Sequence, residues 1–307
     1  MRKFIIDTDT ASDDAVALVM ALRQPDIAVQ AITVVAGNVP LPLGLQNALY
    51  TVELCGADAP VYAGCAKPLT RDLETAQDLH GHVGLGDIGL PLYGREPADG
   101  HAADVLRAVI NANAGDITLV TLGPLTNVAL ALLREPELAR RVSHCWIMGG
   151  TGSGHGNVTP TAEYNIWVDP EAARIVYESG MKMTMVGWDI SWKYATFNAE
   201  QAAEIRRIGT PLAEFVVDIQ PTLTEYSMTE NALPGFDLPD PITMAAAIDP
   251  TIAEYKDYRV DVTTGEGLER GITVVDVLGV SKRAPQMRVA ISADRAAFVE
   301  MLKRCVS

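Results

Sequence analysis

The chain has 307 residues, 48% hydrophobic and 21% charged, the profile of a soluble globular protein with room for a large core. Its formal net charge of −15 excludes the basic face that nucleic acids and anionic membranes require. A small neutral or cationic substrate remains compatible with that charge.

Phe4-Ile5-Ile6 is a short apolar run that predicts a buried strand. It ends in four carboxylates, Asp7, Asp9, Asp13 and Asp14, with a helix-forming run from Ala15 to Leu22 beyond. Ser12 is the expected N-cap, which puts Asp13 and Asp14 in the first helical turn. Capping explains those two acids but not Asp7 and Asp9 at the strand end. Carboxylates this crowded must protonate or enclose a cation. Oxygen ligands without nearby His or Cys suit Ca²⁺ or Mg²⁺ rather than Zn²⁺.

Residues 27–35 predict a second strand, and Gly37 a special backbone angle that sets Asn38 in a tight loop. A helix over 43–55 and a strand over 60–63 follow. Residues 66–100 read as one long loop carrying His80-Gly81-His82. Next come a helix over 102–113, a strand over 116–121, a turn at Gly123-Pro124, and a helix over 128–134. A strand over 144–148 leads into a glycine-rich loop through Asn157, where His155 reads as incidental.

A helix over 170–179 and a strand over 181–187 complete the regular alternation. Helices are expected over 199–208 and from Pro211 to about Met228, the latter split by Pro221. Residues 233–241 read as a Pro/Gly/Asp loop, and 242–248 as a helix. Three β-rich runs within 257–291 fit either a hairpin appendage or an extension of the sheet. Asp294 caps a last helix over 295–304.

Strand and helix alternate through about 190 residues. That predicts an α/β fold with an open, mostly parallel, doubly wound sheet and helices on both faces, as one domain over 1–307. Polar residues recur past the strand ends: Asp9, Asn38, the Leu122 turn, Asn157, and Trp188 with Asp189. In such a sheet those ends share one edge, where ligands bind. Cys55, Cys65, Cys145 and Cys305 have neither metal nor disulfide spacing and are expected as free thiols. With no signal-like segment, a cytoplasmic protein is expected.

The motif D-T-D-x-x-x-D-D-A at Asp7–Ala15 resembles the N-terminal signature of the inosine-uridine preferring nucleoside hydrolase family. The likeness continues in order through Leu122-Gly123-Pro124, Met148-Gly149-Gly150, Asn157, Glu163-Tyr164-Asn165, Asp169-Pro170-Glu171-Ala172 and Asp240-Pro241. The resemblance implies Ca²⁺-dependent hydrolysis of the N-glycosidic bond of ribonucleosides. By position, Asp9, Asp14, the Leu122 carbonyl and Asp240 would hold Ca²⁺, and Asp9 would deprotonate the attacking water. Asp13, Asn38, Asn157, Glu163 and Asn165 would read the ribose hydroxyls, with Met148 beneath the ring. Hydroxyl readers reject analogues that lack the hydroxyl, so ribonucleosides should be preferred over 2′-deoxyribonucleosides. Asp7 would brace the loop. The family is usually dimeric or tetrameric, which implies a homodimer or homotetramer.

One departure stands out. The family carries His-Asp-Pro, with the histidine thought to protonate the leaving base, where this chain has Pro239-Asp240-Pro241. Proton donors are then sought in His80, His82 and Tyr226, with Trp188 able to stack on the base. Three other classes fit less of the pattern. A haloacid-dehalogenase-type phosphatase leaves Asp13-Asp14 without a role. A dinucleotide-binding protein lacks the G-x-G-x-x-G spacing before a helix. A non-catalytic nucleoside- or calcium-binding homologue would keep the ribose site without turnover.

Overall fold

The computed structural model describes residues 1–307, built around one eight-stranded sheet. Its strands are β1 (Arg2–Thr8), β2 (Ile27–Val34), β3 (Val61–Ala63), β4 (Ile117–Thr121), β5 (Val142–Met148), β6 (Met183–Val186), β7 (Ala253–Tyr258) and β8 (Met287–Ala293). Their spatial order is β3-β2-β1-β4-β5-β6-β8-β7. All pairings are parallel except β7 on β8. The chain winds outward from β1 in one direction through β3, then returns to β4 and winds the other way. The order reverses between β1 and β4, which places the ligand crevice of such a sheet at their carboxyl ends.

Alternation along the strands sorts the core onto two faces. Phe4 and Ile6 pack with the helices Ser12–Leu22, Leu41–Leu54, Pro239–Ile248 and Arg295–Val306. Ile5, Leu119 and Ile147 face Ala102–Ala112, Thr126–Arg134 and Pro170–Tyr177. The Ser12–Leu22 helix is buried from Ser12 to Ala21, so the loop before it is fixed by packing on every side.

Several local expectations are corrected. Ala11, not Ser12, is the N-cap of the first helix; its N–H donates to Asp14 Oδ2 at 2.9 Å, so the acid does the capping from inside the helix. The helix expected from Ile242 begins at Pro239, because proline suits a first helical turn. Asp240 therefore lies in that turn. The preceding loop contains a strand, Gly235–Asp237, paired antiparallel with Thr196–Asn198. A helix over Trp188–Tyr194 and the edge strand β7 were not expected, and the long loop holds a short helix, Gln77–His80. Both readings of the late β runs hold: Val260–Val262 and Thr273–Val275 form a hairpin, while β8 joins the sheet. The split at Pro221 is present, between Pro211–Asp218 and Pro221–Thr229. All four cysteines are free, and no helix is long and apolar enough to cross a membrane.

Candidate active site

The turn after β1 carries Asp9 between two glycines. A Cβ at Gly37 would collide with Asp9 Oδ2, and one at Gly123 would lie 2.5 Å from Oδ1. Gly37 is needed for this close approach rather than for the special backbone angle its sequence suggested, since its φ is not positive. The Asn38 N–H donates to Asp9 Oδ2 at 2.6 Å, while Oδ1 is buried without a partner. Asp14 accepts from Thr8 Oγ1 at 2.6 Å and from the Ala11 N–H. Asp7 accepts from Asn127 Nδ2 at 2.9 Å and from Thr33 Oγ1, side-chain donors rather than the backbone N–H groups that bracing the loop would use.

Asp240 arrives from a distant part of the chain. One oxygen each from Asp13, Asp14 and Asp240 lie within 4.8 Å of one another, all three residues buried. This tight group contains Asp13 where the sequence reading had Asp9; Asp9 sits beside it. Burial raises the pKa of Asp9, Asp13 and Asp240 well above the ordinary range, and the charge of Asp14 raises each further. Asp13 Oδ1 has no hydrogen-bond partner. No ammonium or guanidinium pairs with any of the four. A buried set of hard oxygens with orphaned lone pairs and no counter-charge fits a divalent cation.

Above this floor opens a cleft of about 270 Å³, near the lower end of small-molecule sites. Asp13, Asn38, His80, Leu122, Met148, Asn157, Glu163, Asn165, Trp188, Tyr226 and Asp240 all line it. Asp9 and Asp14 lie fully buried behind that surface. Asn165 Nδ2 donates to the Leu122 carbonyl at 2.7 Å and approaches Met148 Sδ at 3.1 Å. Glu163 caps the Tyr164–Val168 helix by accepting from the Asn165 and Ile166 N–H groups and takes the Gly150 N–H as well. Burial still pushes its pKa up to about 7. Asn157 accepts from the Tyr164 N–H at 2.9 Å. Trp188 stacks on Trp192, with ring centroids 5.9 Å apart.

His80 is buried, with Nδ1 2.9 Å from Ser12 Oγ and 3.8 Å from Asp13 Oδ1. Burial lowers its pKa to about 4, so it is a neutral imidazole at neutral pH. His82 is a correction: it is exposed and outside the cleft. Its N–H and that of Val83 are tied to the Asp87 carboxylate, which folds this stretch into a turn at the surface.

A profile of the inosine-uridine preferring nucleoside hydrolases matches residues 4–300. The chain belongs to that family. The pyrimidine-specific ribonucleoside hydrolase RihA of Salmonella paratyphi C is 39% identical over 300 residues, covering 97% of this chain and 96% of RihA. Among solved structures, the plant nucleoside hydrolase PpNRh1 superposes with a TM-score of 0.94 at 34% identity, covering 100% of this chain and 99% of that one. A purine-preferring ribonucleoside hydrolase from Gardnerella vaginalis gives 0.92 at 32% identity, covering 99% and 98%. This nucleoside hydrolase is thus an enzyme of the N-glycosidase class.

Within the nucleoside hydrolase, Pro239 lies in the cleft wall where the family histidine is expected. It offers no proton. The sequence reading missed its neighbour Asp237, buried and cleft-lining, because that stretch read as a loop. The alternation Phe236-Asp237-Leu238 after Gly235 was the available signal for a short strand. Tyr164, Trp167 and Asn231 also line the cleft unforeseen.

Proposed function

We propose that this nucleoside hydrolase cleaves ribonucleosides to ribose and free base with Ca²⁺ held by Asp9, Asp14, the Leu122 carbonyl and Asp240. The observation that carries this reading is the unpaired group of buried carboxylates under a ring of hydroxyl-reading side chains. When bound, the cation supplies positive charge that acidifies a water and fixes the ribose diol. Asp9, with Oδ1 free, takes the water's proton as its oxygen attacks C1′. Asp13, Asn38, Asn157, Glu163 and Asn165 bind the ribose hydroxyls and orient C1′ toward that water. The Met148 thioether lies under the sugar, where its polarisable sulfur tolerates the positive charge of an oxocarbenium-like state.

The neutral His80, bonded to Ser12, lines the cleft beside Asp13. Trp188, backed by Trp192, is a platform for the planar base, and Tyr226 offers a hydroxyl beside it. The base preference resides in this wall and not in the fold, since relatives sharing the fold are named for pyrimidines in one case and purines in another. Base release from inosine, adenosine, guanosine, uridine and cytidine, each with Ca²⁺ and with a chelator, tests the reading. Calcium-dependent release from ribonucleosides and not from 2′-deoxyribonucleosides is the expected result. Turnover unaffected by chelation would remove the cation from the scheme.

A further inference from the structure

One buried carboxyl in the cleft wall has no part in that scheme. Asp237 ends the Gly235–Asp237 strand and lines the cleft with Trp188, Tyr226 and Pro239. It is 5% exposed. Ser191 Oγ donates to its Oδ2 at 2.8 Å, and no lysine or arginine pairs with it. A buried carboxyl facing a substrate cleft without a counter-cation is expensive to keep ionised and cheap to keep as the neutral acid.

The reaction needs such an acid. Breaking the C1′–N bond leaves its electron pair on a ring nitrogen, and a nucleobase anion is a poor leaving group near neutral pH. Tyr226 sits in the same wall, and a phenol is a weaker acid than a carboxyl. Several other cleft groups are occupied or unsuited. Glu163 accepts three backbone N–H bonds, which hold it as an acceptor. His80 has already lost its proton at neutral pH. The Tyr164 hydroxyl donates to the Glu74 carbonyl at 2.8 Å. Glu74 and Asp78 are exposed at the rim rather than set in the buried wall.

We propose that Asp237 is the acid that protonates the leaving base. This rests on the hydrolase reading above and adds a residue to it. Ser191 and Trp188 both hydrogen-bond the carboxyl, Ser191 at Oδ2, and fix it at the cleft wall from which it hands its proton to the base. In the step, the water oxygen bonds to C1′ and its proton passes to Asp9. The C1′–N electron pair departs with the base, whose nitrogen takes the Asp237 proton. Exchange with solvent then removes the proton from Asp9 and returns one to Asp237, so the net change is addition of water.

The surroundings favour the protonated form of Asp237. Burial raises its pKa most, and hydrogen bonds from Ser191, from its own backbone and from Trp188 lower it in part. Asp13 and Asp240 share the cleft, and the Asp13 and Asp237 charges repel. The Pro221–Thr229 helix contributes Tyr226 to the cleft, with its Glu225 exposed; the paired Thr196–Asn198 strand contributes no ionisable group. On the Trp188–Tyr194 helix, Lys193 is exposed and Asp189 accepts from the Gly152 N–H.

Leaving-group dependence tests the proposal. Nucleosides are compared with 4-nitrophenyl β-D-ribofuranoside, whose phenolate departs without a proton. In Asp237→Asn, which keeps the acceptor for Ser191, kcat/KM for nucleosides should fall by about 10²–10⁴-fold while the nitrophenyl riboside stays within a few-fold. The alkaline decline of the parent's nucleoside kcat/KM should vanish with it. Ser191→Ala, which removes a donor that favours the ionised form, should move that decline to higher pH and leave the nitrophenyl riboside unaffected. Equal losses on both substrates, or no loss on nucleosides, would overturn the assignment. A parent inactive on both substrates would instead remove the hydrolase reading beneath it.

Discussion

On the outer surface, Asp104 bonds to Arg134 at 2.6 Å and Arg107 at 3.2 Å, and Glu135 to Arg141 at 2.7 Å and Arg107 at 3.3 Å. Hydrogen bonds from Arg134 to Asp104, and from Asn111 and the arginines to Glu135, hold both carboxyls below their ordinary range. At the carboxyl edge of the sheet, Asp9, Asp13, Asp14 and Asp240 have no cationic partner and are all shifted upward, first by burial. The first group is self-sufficient and adds little to stability, because water already serves exposed ions well. The second is incomplete by itself. A chain that leaves four buried acids uncompensated has reserved them for something it does not encode.

The contrast can be broken most severely at Asp9. Asp9→Ala should lower kcat for ribonucleosides by at least about 10³-fold with the fold intact, since on the proposed scheme it removes the base that takes the water's proton; steady-state rates and a melting curve check this. Gly123→Ala should cost nearly as much without altering any carboxylate, because a methyl there displaces Asp9. A rate within a few-fold of the parent would show that the Asp9 position is not critical.

Calcium sharpens the comparison. The four acids have folded-state pKa values above their unfolded ones, so without a cation stability falls as pH rises past the ordinary carboxylate range of about 4. A cation opposes that loss. The gain in melting temperature on adding Ca²⁺ to chelated protein should be a few degrees at pH 8, about that expected at hundredfold saturation, and smaller at pH 5. Equal gains at both pH values would separate the cation from these carboxylates.

Glu163, raised to about 7, contributes a similar loss between its ordinary range and neutrality. Glu163→Gln should therefore show a flatter decline in stability from pH 5 to pH 8 than the parent in urea titrations. The smallest effect belongs to the surface: Arg107→Ala should leave both kcat and the melting temperature nearly unchanged.

The parallel sheet was legible because each strand–helix unit announces itself locally, in runs such as Phe4-Ile5-Ile6 and turns such as Gly123-Pro124. The acidic floor was legible because three of its members lie within a few residues of one another. What escaped depended on distant contacts. The Gly235–Asp237 strand exists only because Thr196–Asn198 pairs with it, and neither run is long enough to declare itself. Whether His80 or His82 faces the cleft was decided by backbone N–H bonds from His82 and Val83 to the Asp87 carboxylate, invisible as spacing. Asp13 joined the tight oxygen group because the Pro239–Ile248 helix delivers Asp240 beside the Ser12–Leu22 helix, a matter of packing rather than motif.

That delivery has a kinetic consequence. Asp9, Asp13 and Asp14 are made far ahead of Asp240, so a nascent chain on the ribosome carries three of the four acids long before the fourth. The sheet's earliest strands can associate while the four-acid group does not yet exist. Cation uptake by this group is thus expected to report completed folding: in refolding, it should lag the recovery of secondary structure and coincide with docking of the Pro239–Ile248 helix.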